Sequence, residues 1–211
     1  GPELYRAVPD FFVDRLKVQQ RDAGIRYDLI DAVFGLAERK DDIVGNLARV
    51  QALQSFMQTE DGQNLLAGYK RAANILKKEG WQGEDDAPHT GEEDPLVLVD
   101  DPDMKEIVAA QMAEKNTHPA GKALSYTPEP AEKDLIDALD TAGPQAETAV
   151  REERFADAMS ALASLRKPID EFFETVTVND DDEAKRTARL GLLARFREAV
   201  HQVADFGKIE G

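Results

Sequence analysis

The chain has 211 residues and a formal net charge of −16, and hydrophobic residues make up 42% of it. This length and apolar share suffice for one medium-sized domain with its own core, whereas the lack of cysteine excludes disulfides and thiolate chemistry. No apolar run approaches membrane-spanning length and the N-terminus has no signal-peptide pattern, so a cytoplasmic protein is expected. Ala, Leu, Glu, Lys and Arg dominate, which favours an all-α fold.

Four amphipathic helices with short connections are predicted before residue 82. Their start and end signals, in chain order, are Pro9-Asp10, Gly24, Asp28, Asp41-Asp42, Thr59 and Gly80. In the last of these helices, Leu65, Tyr69, Ala72 and Leu76 recur at helical spacing, so Tyr69 is expected to be a core residue. Consecutive helices of this kind are typical of an antiparallel bundle.

Residues 82–130 interrupt this pattern. They hold six of the ten prolines and four times as many acidic as basic side chains. Low hydrophobicity and high like charge predict poor order, so the segment is interpreted as a flexible acidic insertion in a domain spanning residues 3–211. Within it, residues 96–99 are predicted as a short strand and residues 104–112 as a short helix. Gly1-Pro2 resembles the scar of a removed tag.

Helical patterns resume at Pro130. A further short helix is predicted after Gly143-Pro144, because proline disfavours a helix interior. The helix beginning at Phe155 is expected to end before Pro168, which suits the first turn of the next helix.

The last helix is expected to open within the acidic run 180–183, where negative charge suits the positive end of the helix dipole. Its apolar stripe extends to Phe206, so Gly207 is predicted as its C-terminal cap. Arg189 continues this stripe and is therefore expected to be a buried ion-pair partner rather than an RNA contact.

The sequence lacks the arrangements that catalysis or metal binding requires. His89, His118 and His201 are far apart and none has ligand spacing with another. The acids around His89 allow weak metal binding, but a solvated acidic loop is the preferred interpretation. No EF-hand spacing, phosphate-binding glycine loop or GxSxG pattern is present. The chain is therefore interpreted as non-catalytic, with no metal or cofactor of its own.

Basic side chains lie at helical spacing in the neutral N-terminal part, which carries equal numbers of acidic and basic groups up to residue 81. The candidates for nucleic-acid contact are Arg15, Lys17, Arg21, Arg26, Tyr27, Lys70, Arg71, Asn74, Lys77 and Lys78. The cations would neutralise phosphates, Asn74 would bind a base edge, and Tyr27 would stack on an unpaired base. The alternative is that these side chains are solvated or paired with acidic neighbours, as most charged surface residues are.

Several runs stand in a distinctive order. They are Arg26-x-Asp28-Leu29-Ile30-Asp31-Ala32-Val33, Gly68-Tyr69-Lys70-Arg71-Ala72-Ala73-Asn74-Ile75-Leu76-Lys77, Leu165-Arg166-x-Pro168-Ile169-Asp170-x-Phe172-Phe173, Asp182-Glu183-Ala184-x-Arg186 and Val203-Ala204-Asp205-Phe206. This order resembles the C-terminus of the β subunit of bacterial two-subunit glycyl-tRNA synthetases, which is similar to the DALR-type anticodon-binding domain of arginyl-tRNA synthetases. Lys185 stands where the DALR pattern has leucine.

The resemblance implies a helical bundle of the DALR anticodon-binding type and a module that binds the anticodon of tRNA(Gly). The whole enzyme, a glycine-tRNA ligase, would use ATP and Mg²⁺ on its α subunit. The implied partners are tRNA(Gly), the α subunit and the remainder of the β subunit in a heterotetramer, without membrane or DNA. The alternative is a helical scaffold that docks the α subunit or the rest of the β subunit without reading the anticodon.

Overall fold

The computed structural model describes residues 24–36, 43–81 and 124–211, together with Arg15 and Val18. Every regular element in these ranges is helical, which confirms the all-α prediction for this part of the chain. The elements are α1 (Tyr27–Phe34), α2 (Ile43–Met57), α3 (Glu60–Lys78), α4 (Pro130–Arg151), α5 (Phe155–Ala163), α6 (Arg166–Thr175), α7 (Glu183–His201) and a 3₁₀ turn (Phe206–Lys208).

Helix α3 lies at the centre of the bundle. It packs against α2, α5, α6, α7 and the 3₁₀ turn, while α4 packs against α5, α6 and α7. The buried apolar side chains form one core that draws on helices from both sides of the acidic segment. A backbone hydrogen bond from Asp205 to the carbonyl of Ala32, at 2.9 Å, also joins the two ends of the chain. The N-terminal and C-terminal helices thus form a single packed unit.

Helix α3 begins where the sequence predicts. The Thr59 hydroxyl accepts a hydrogen bond from the Gly62 amide at 3.0 Å, so Thr59 caps the helix. The corner between α2 and α3 is so tight that a Cβ at position 62 would collide with the carbonyl of Phe56. Glycine is therefore required at the first turn of α3.

The end of α3 is also as predicted. Gly80 adopts a φ of +61°, in the left-handed region that glycine enters readily. The Trp81 amide then donates to the carbonyl of Leu76 at 2.9 Å, and the Gly80 amide to that of Lys77 at 3.2 Å. This pair of bonds is the Schellman motif, and it folds Trp81 back against the core.

The predicted break at Gly143-Pro144 is wrong, because α4 continues through both residues. Pro144 is exposed, so the Asp140 carbonyl that loses its amide donor remains close to solvent. Three buried alanines, Ala142, Ala146 and Ala149, pack on neighbouring helices on either side of the proline. Tertiary packing therefore keeps the helix continuous.

The predicted end of the last helix at Gly207 is also wrong. Helix α7 ends at His201, and Gly207 lies in the 3₁₀ turn. The guanidinium of Arg49 on α2 donates to the carbonyls of Gln202 and Val203, which no longer have helical partners. A side chain from another helix thus sets where α7 stops. Val203 and Phe206 are nevertheless buried, as their apolar character predicts.

The start of α1 differs from the prediction, because the N-cap is Arg26 and not Asp28, two residues earlier. The helix begins at Tyr27, and Asp28 lies in its first turn rather than at its cap. The Asp28 carboxylate instead accepts hydrogen bonds from Arg26 and from the Glu210 amide, at 2.8 Å for the latter. The long-range contact with residue 210 cannot be read from local sequence.

Several predictions lie outside the described residues. They concern the helix starting at Pro9-Asp10, the strand at 96–99, the helix at 104–112 and the segments containing His89 and His118. The flexibility of the acidic insertion also stays a prediction. The described chain resumes at Leu124, ahead of α4.

Candidate nucleic-acid interface

Helix α3 brings five of the predicted RNA-binding residues onto one element. Leu65, Tyr69, Ala72 and Leu76 are buried on one side of it. The predicted contacts lie on the other side. Four of them are exposed and Lys70 is half-buried, the full set being Lys70, Arg71, Asn74, Lys77 and Lys78. Tyr69 is 5% exposed, which confirms that it is a core residue.

The last two lysines of this set occupy the final turn of α3. There they face the negative end of the helix dipole, which favours cations. Both are exposed, so a phosphate group has access to them from solvent. Lys77 and Lys78 are the cations of α3 best placed to meet a polyanion.

Lys70 and Arg26 are brought together by the C-terminal residues. The Lys70 ammonium donates to the carbonyl of Gly211 at 3.4 Å, and the Arg26 guanidinium donates to that of Glu210. Arg26 also forms an ion pair with Asp28. Arg26 and Lys70, both predicted to contact RNA, therefore already have hydrogen-bond acceptors within the chain.

Arg71 lies over an aromatic ring. Its guanidinium carbon is 4.4 Å from the centroid of Phe173, a half-buried residue of α6. This is a cation–π contact between two helices. The sequence analysis names Phe173 only within the run from Leu165 to Phe173 and does not connect it with Arg71.

The remaining predicted residues are more scattered. Tyr27 is 53% exposed at the start of α1, and Arg15 is also exposed. Lys17 and Arg21 lie outside the described residues. The structure therefore brings Lys70 and Arg26 to adjacent C-terminal residues and places the other four α3 residues on the same helix as Lys70.

Two further basic residues, which the sequence analysis did not single out, lie close to α1 and to Tyr69 of α3. Lys208 reaches the end of α1, since a Cβ placed on Gly35 would meet its ammonium group. Arg197 of α7 acts electrostatically on Tyr69: burial and Asp205 raise the pKa of that phenol, while Arg197 opposes them. Neither residue shares a helix with the predicted cluster, so no spacing within one helix could have indicated them.

Arg189 forms the buried ion-pair network that the sequence predicts. It is 1% exposed and pairs with Glu132 at 3.0 Å, Glu129 at 3.0 Å and Asp180 at 2.9 Å. Tyr126 completes the network by donating its hydroxyl proton to Glu132 at 2.6 Å. The pKa of Tyr126 is raised, first by burial and then by this bond to a carboxylate.

The network joins the start of α4 to α7 and to the turn before it. Glu132 accepts from the Glu129 amide, so it takes part in the capping of α4 as well. Asp182 caps α7 by accepting from the amides of Ala184 and Lys185. These contacts stabilise the packing of α4 on α7.

No group of three or more metal-ligating side chains gathers in the part of the chain that the structure describes. Within the same ranges, no helix is both long and apolar enough to cross a bilayer.

Comparisons with known proteins agree with this geometry. Residues 65–209, from α3 to the 3₁₀ turn, match the DALR anticodon binding domain family. The chain is 41% identical over 205 residues to a glycine–tRNA ligase beta subunit of Phenylobacterium zucineum (strain HLK1), an alignment that covers 97% of the chain and 25% of the relative. It is 38% identical over 201 residues to that of Ruegeria sp. (strain TM1040), covering 95% and 25%. It thus spans about a quarter of these relatives' length. On the match from α3 to the C-terminal turn, the chain belongs to the DALR anticodon-binding domain family.

Proposed function

We propose that this chain is the tRNA(Gly) anticodon-binding module of a glycine-tRNA ligase β subunit. Its membership of the DALR family and its similarity to two such β subunits support the proposal. The observation that carries it is the exposed polar face of α3. This face presents Arg71, Asn74, Lys77 and Lys78 opposite the buried side of the helix.

The charges of the chain make this face the favoured contact. A net charge of −16 repels a polyanion at long range, but exposed charges are largely screened beyond about 8 Å at physiological salt. A local group of lysines therefore attracts phosphates even on an acidic protein. Lys77 and Lys78 would neutralise phosphates, and Asn74 would hydrogen bond to a base edge.

The chemistry of aminoacylation would belong to the whole enzyme. ATP and Mg²⁺ would serve glycine activation on the α subunit, as the family resemblance implies. The present chain would hold the anticodon end of the tRNA within an assembly that also contains the α subunit and the remainder of the β subunit. Its contribution is binding and selection of the tRNA rather than a chemical step, and it would act in the cytoplasm.

A second candidate is a scaffold that docks another part of the enzyme without reading the anticodon. It is favoured by the contacts of Arg26 and Lys70, which already bind the carbonyls of Glu210 and Gly211. Cations engaged in this way are less available to phosphates. The two candidates differ in whether the chain binds tRNA directly.

A mobility-shift titration with tRNA(Gly) and with tRNA(Gly) carrying a changed anticodon tests the proposal. The wild-type chain should prefer the natural anticodon. The variant Lys77→Glu/Lys78→Glu should bind more weakly, and the slope of log affinity against log salt should fall by roughly 0.7 to 0.9 for each lost phosphate contact.

The matched control is Lys133→Glu/Arg151→Glu, which changes two exposed cations of α4 and alters the net charge equally. It should bind nearly as the wild type does. Equal losses in both double variants would indicate a bulk charge effect. No binding of tRNA(Gly) by the folded wild-type chain would favour the scaffold instead.

A further inference from the structure

Arg71 and Phe173 form a preorganised pair between α3 and α6. The guanidinium carbon of Arg71 lies 4.4 Å from the ring centroid of Phe173. The Phe173 ring is itself held edge-on against Phe172, with centroids 5.9 Å apart and planes at 67°. Phe172 is fully buried, so the ring beneath Arg71 is anchored to the core.

We propose that Arg71, supported by Phe173, is a stacking platform for an unpaired base of the anticodon loop. This inference rests on the proposed function and assigns Arg71 a role different from phosphate neutralisation. Arg71 is exposed, and RNA-binding proteins stack splayed-out bases on arginine planes as well as on aromatic rings. The contact with Phe173 limits the freedom of a long side chain before the RNA arrives, which lowers the entropy lost on binding.

Asn74 is placed to contact the edge of a base stacked on Arg71. Residues three apart on a helix have Cβ atoms about 5–6 Å from one another on the same surface. Asn74 is exposed, and its amide both donates and accepts hydrogen bonds. The Arg71 guanidinium would stack on the face of the base, and the Asn74 amide would hydrogen bond to its edge. Recognition of single-stranded bases uses both kinds of contact.

The charges of α6 favour a base over a phosphate at this place. The helix carries Asp170 and Glu171 just before Phe173, and the exposed Glu174 directly after it. Asp170 and Glu171 have partners in Arg166 at 3.4 Å and Lys167 at 3.7 Å, whereas Glu174 is exposed and follows Phe173 directly in the chain. A phosphate that approaches this part of α6 would meet the charge of Glu174, but an uncharged base would not be repelled.

The substitution Arg71→Lys separates stacking from charge neutralisation, because lysine keeps the charge and lacks the planar group. We expect it to weaken binding of the tRNA(Gly) anticodon stem-loop about tenfold, the loss typical of one stacked base, without changing the salt slope. Phe173→Leu should weaken binding in the same way, while Phe173→Tyr, which keeps the ring, should bind as the wild type does. Arg151→Lys, at an exposed position of α4, is the matched control and should have no effect.

A fluorescent probe locates the contact. Stem-loops that carry 2-aminopurine at one loop position at a time should show a rise in fluorescence on binding the wild-type chain at one position, as that base leaves its stacked neighbours, and Arg71→Lys should reduce this rise. Thermal unfolding of each variant verifies that it is folded.

Binding by Arg71→Lys equal to wild type would overturn the inference alone and leave the proposed function standing. Failure of the wild-type chain to bind the stem-loop would reject both. If Phe173→Leu unfolds, the binding of Arg71→Lys and the 2-aminopurine fluorescence still decide, since Arg71 is exposed and its replacement leaves the core intact.

Discussion

Arg189 donates from Nε to Oε1 of Glu132 across 3.0 Å, and both side chains are almost completely withdrawn from solvent. The same guanidinium donates to Asp180, Glu129 and the carbonyl of Thr177. The buried charge is therefore surrounded by acceptors from two parts of the chain. Such a network holds α4 and α7 in one register, since any sliding of the helices would leave a charge without its partner.

Replacing Arg189 should strongly destabilise the fold. Arg189→Met removes the cation and leaves the Glu132 carboxylate buried, at an expected loss of about 3–5 kcal/mol in the free energy of unfolding. Urea denaturation measures it. The control is Arg195→Met, which removes the ion pair with the half-exposed Asp140 and should lose about 1 kcal/mol or less. Similar losses in the two variants would show that the buried network stabilises the fold no more than an exposed ion pair does.

Glu132 should make the stability depend on pH. Burial by itself raises the pKa of this carboxyl, but hydrogen bonds from Arg189, Tyr126 and the Glu129 backbone outweigh it, so the pKa lies below its ordinary value of 4.5. Near this pH the unfolded chain binds more protons than the folded one. The contribution of Glu132 is thus fully present above the unfolded pKa and is lost as the pH falls through the lower folded pKa.

Urea unfolding from about pH 6 to about pH 3 tests this effect. Glu132→Gln should reduce stability at the upper end and show a shallower decline toward acid than the wild type. Glu147→Gln, at an exposed position of the same helix, should keep the wild-type decline. An equally steep decline in Glu132→Gln would mean that other carboxyls dominate acid unfolding.

Arg49 should contribute more to the free energy of unfolding than an exposed arginine does. Its guanidinium binds two free carbonyls at the end of α7, Gln202 and Val203. Burial lowers its pKa, yet the group donates to both acceptors. Arg49→Met should reduce the free energy of unfolding by about 2–3 kcal/mol, the range for hydrogen bonds to a charged group. Arg49→Lys should recover part of this loss because the cation at the helix end remains.

Hydrogen exchange of the last turn of α7 provides a local readout for the same variants. Faster exchange near His201 in Arg49→Met than in Arg49→Lys is the expected result. If both variants unfold as the wild type does, then water replaces the guanidinium without loss.

Asn74 should govern discrimination rather than overall affinity. Asn74→Ala is expected to reduce the preference for the natural anticodon over a changed one by about 1–3 kcal/mol and to leave the salt slope nearly unchanged. Competition binding with the two tRNAs measures it. Gln63→Ala removes an exposed amide from the other end of α3 and should leave the preference intact. A fall in salt slope for Asn74→Ala would point to a backbone contact.

Local signals in the sequence predicted the helix ends that depend on local bonds. Thr59, Gly80 and Asp182 all act within a few residues of their own position. The three wrong boundaries involve long-range contacts. Asp28 binds the Glu210 amide instead of capping α1, the packing of α4 overrides Pro144, and the guanidinium of Arg49 ends α7 before Gly207. A pattern along one helix contains no information about these contacts.

In the candidate site, too, the sequence predicts the contacts within one helix but not the contacts between helices. Helical spacing placed Lys70, Asn74 and Lys77 on one face of α3, and the structure confirms the common helix. The stacking of Arg71 on Phe173 joins residues 102 positions apart, so only the packing of α3 on α6 could reveal it.

The single core shared by both ends of the chain has a consequence for how the domain is assembled. Helices up to Trp81 and helices from Pro130 onward contribute to the same core, with α3 packed on α5, α6 and α7. The covalent link through residues 82–123 therefore acts as a tether that raises the effective concentration of one half around the other. Two separate polypeptides, divided within that link, should bind each other and reassemble the bundle. Their affinity would measure the free energy of the packing between the two parts.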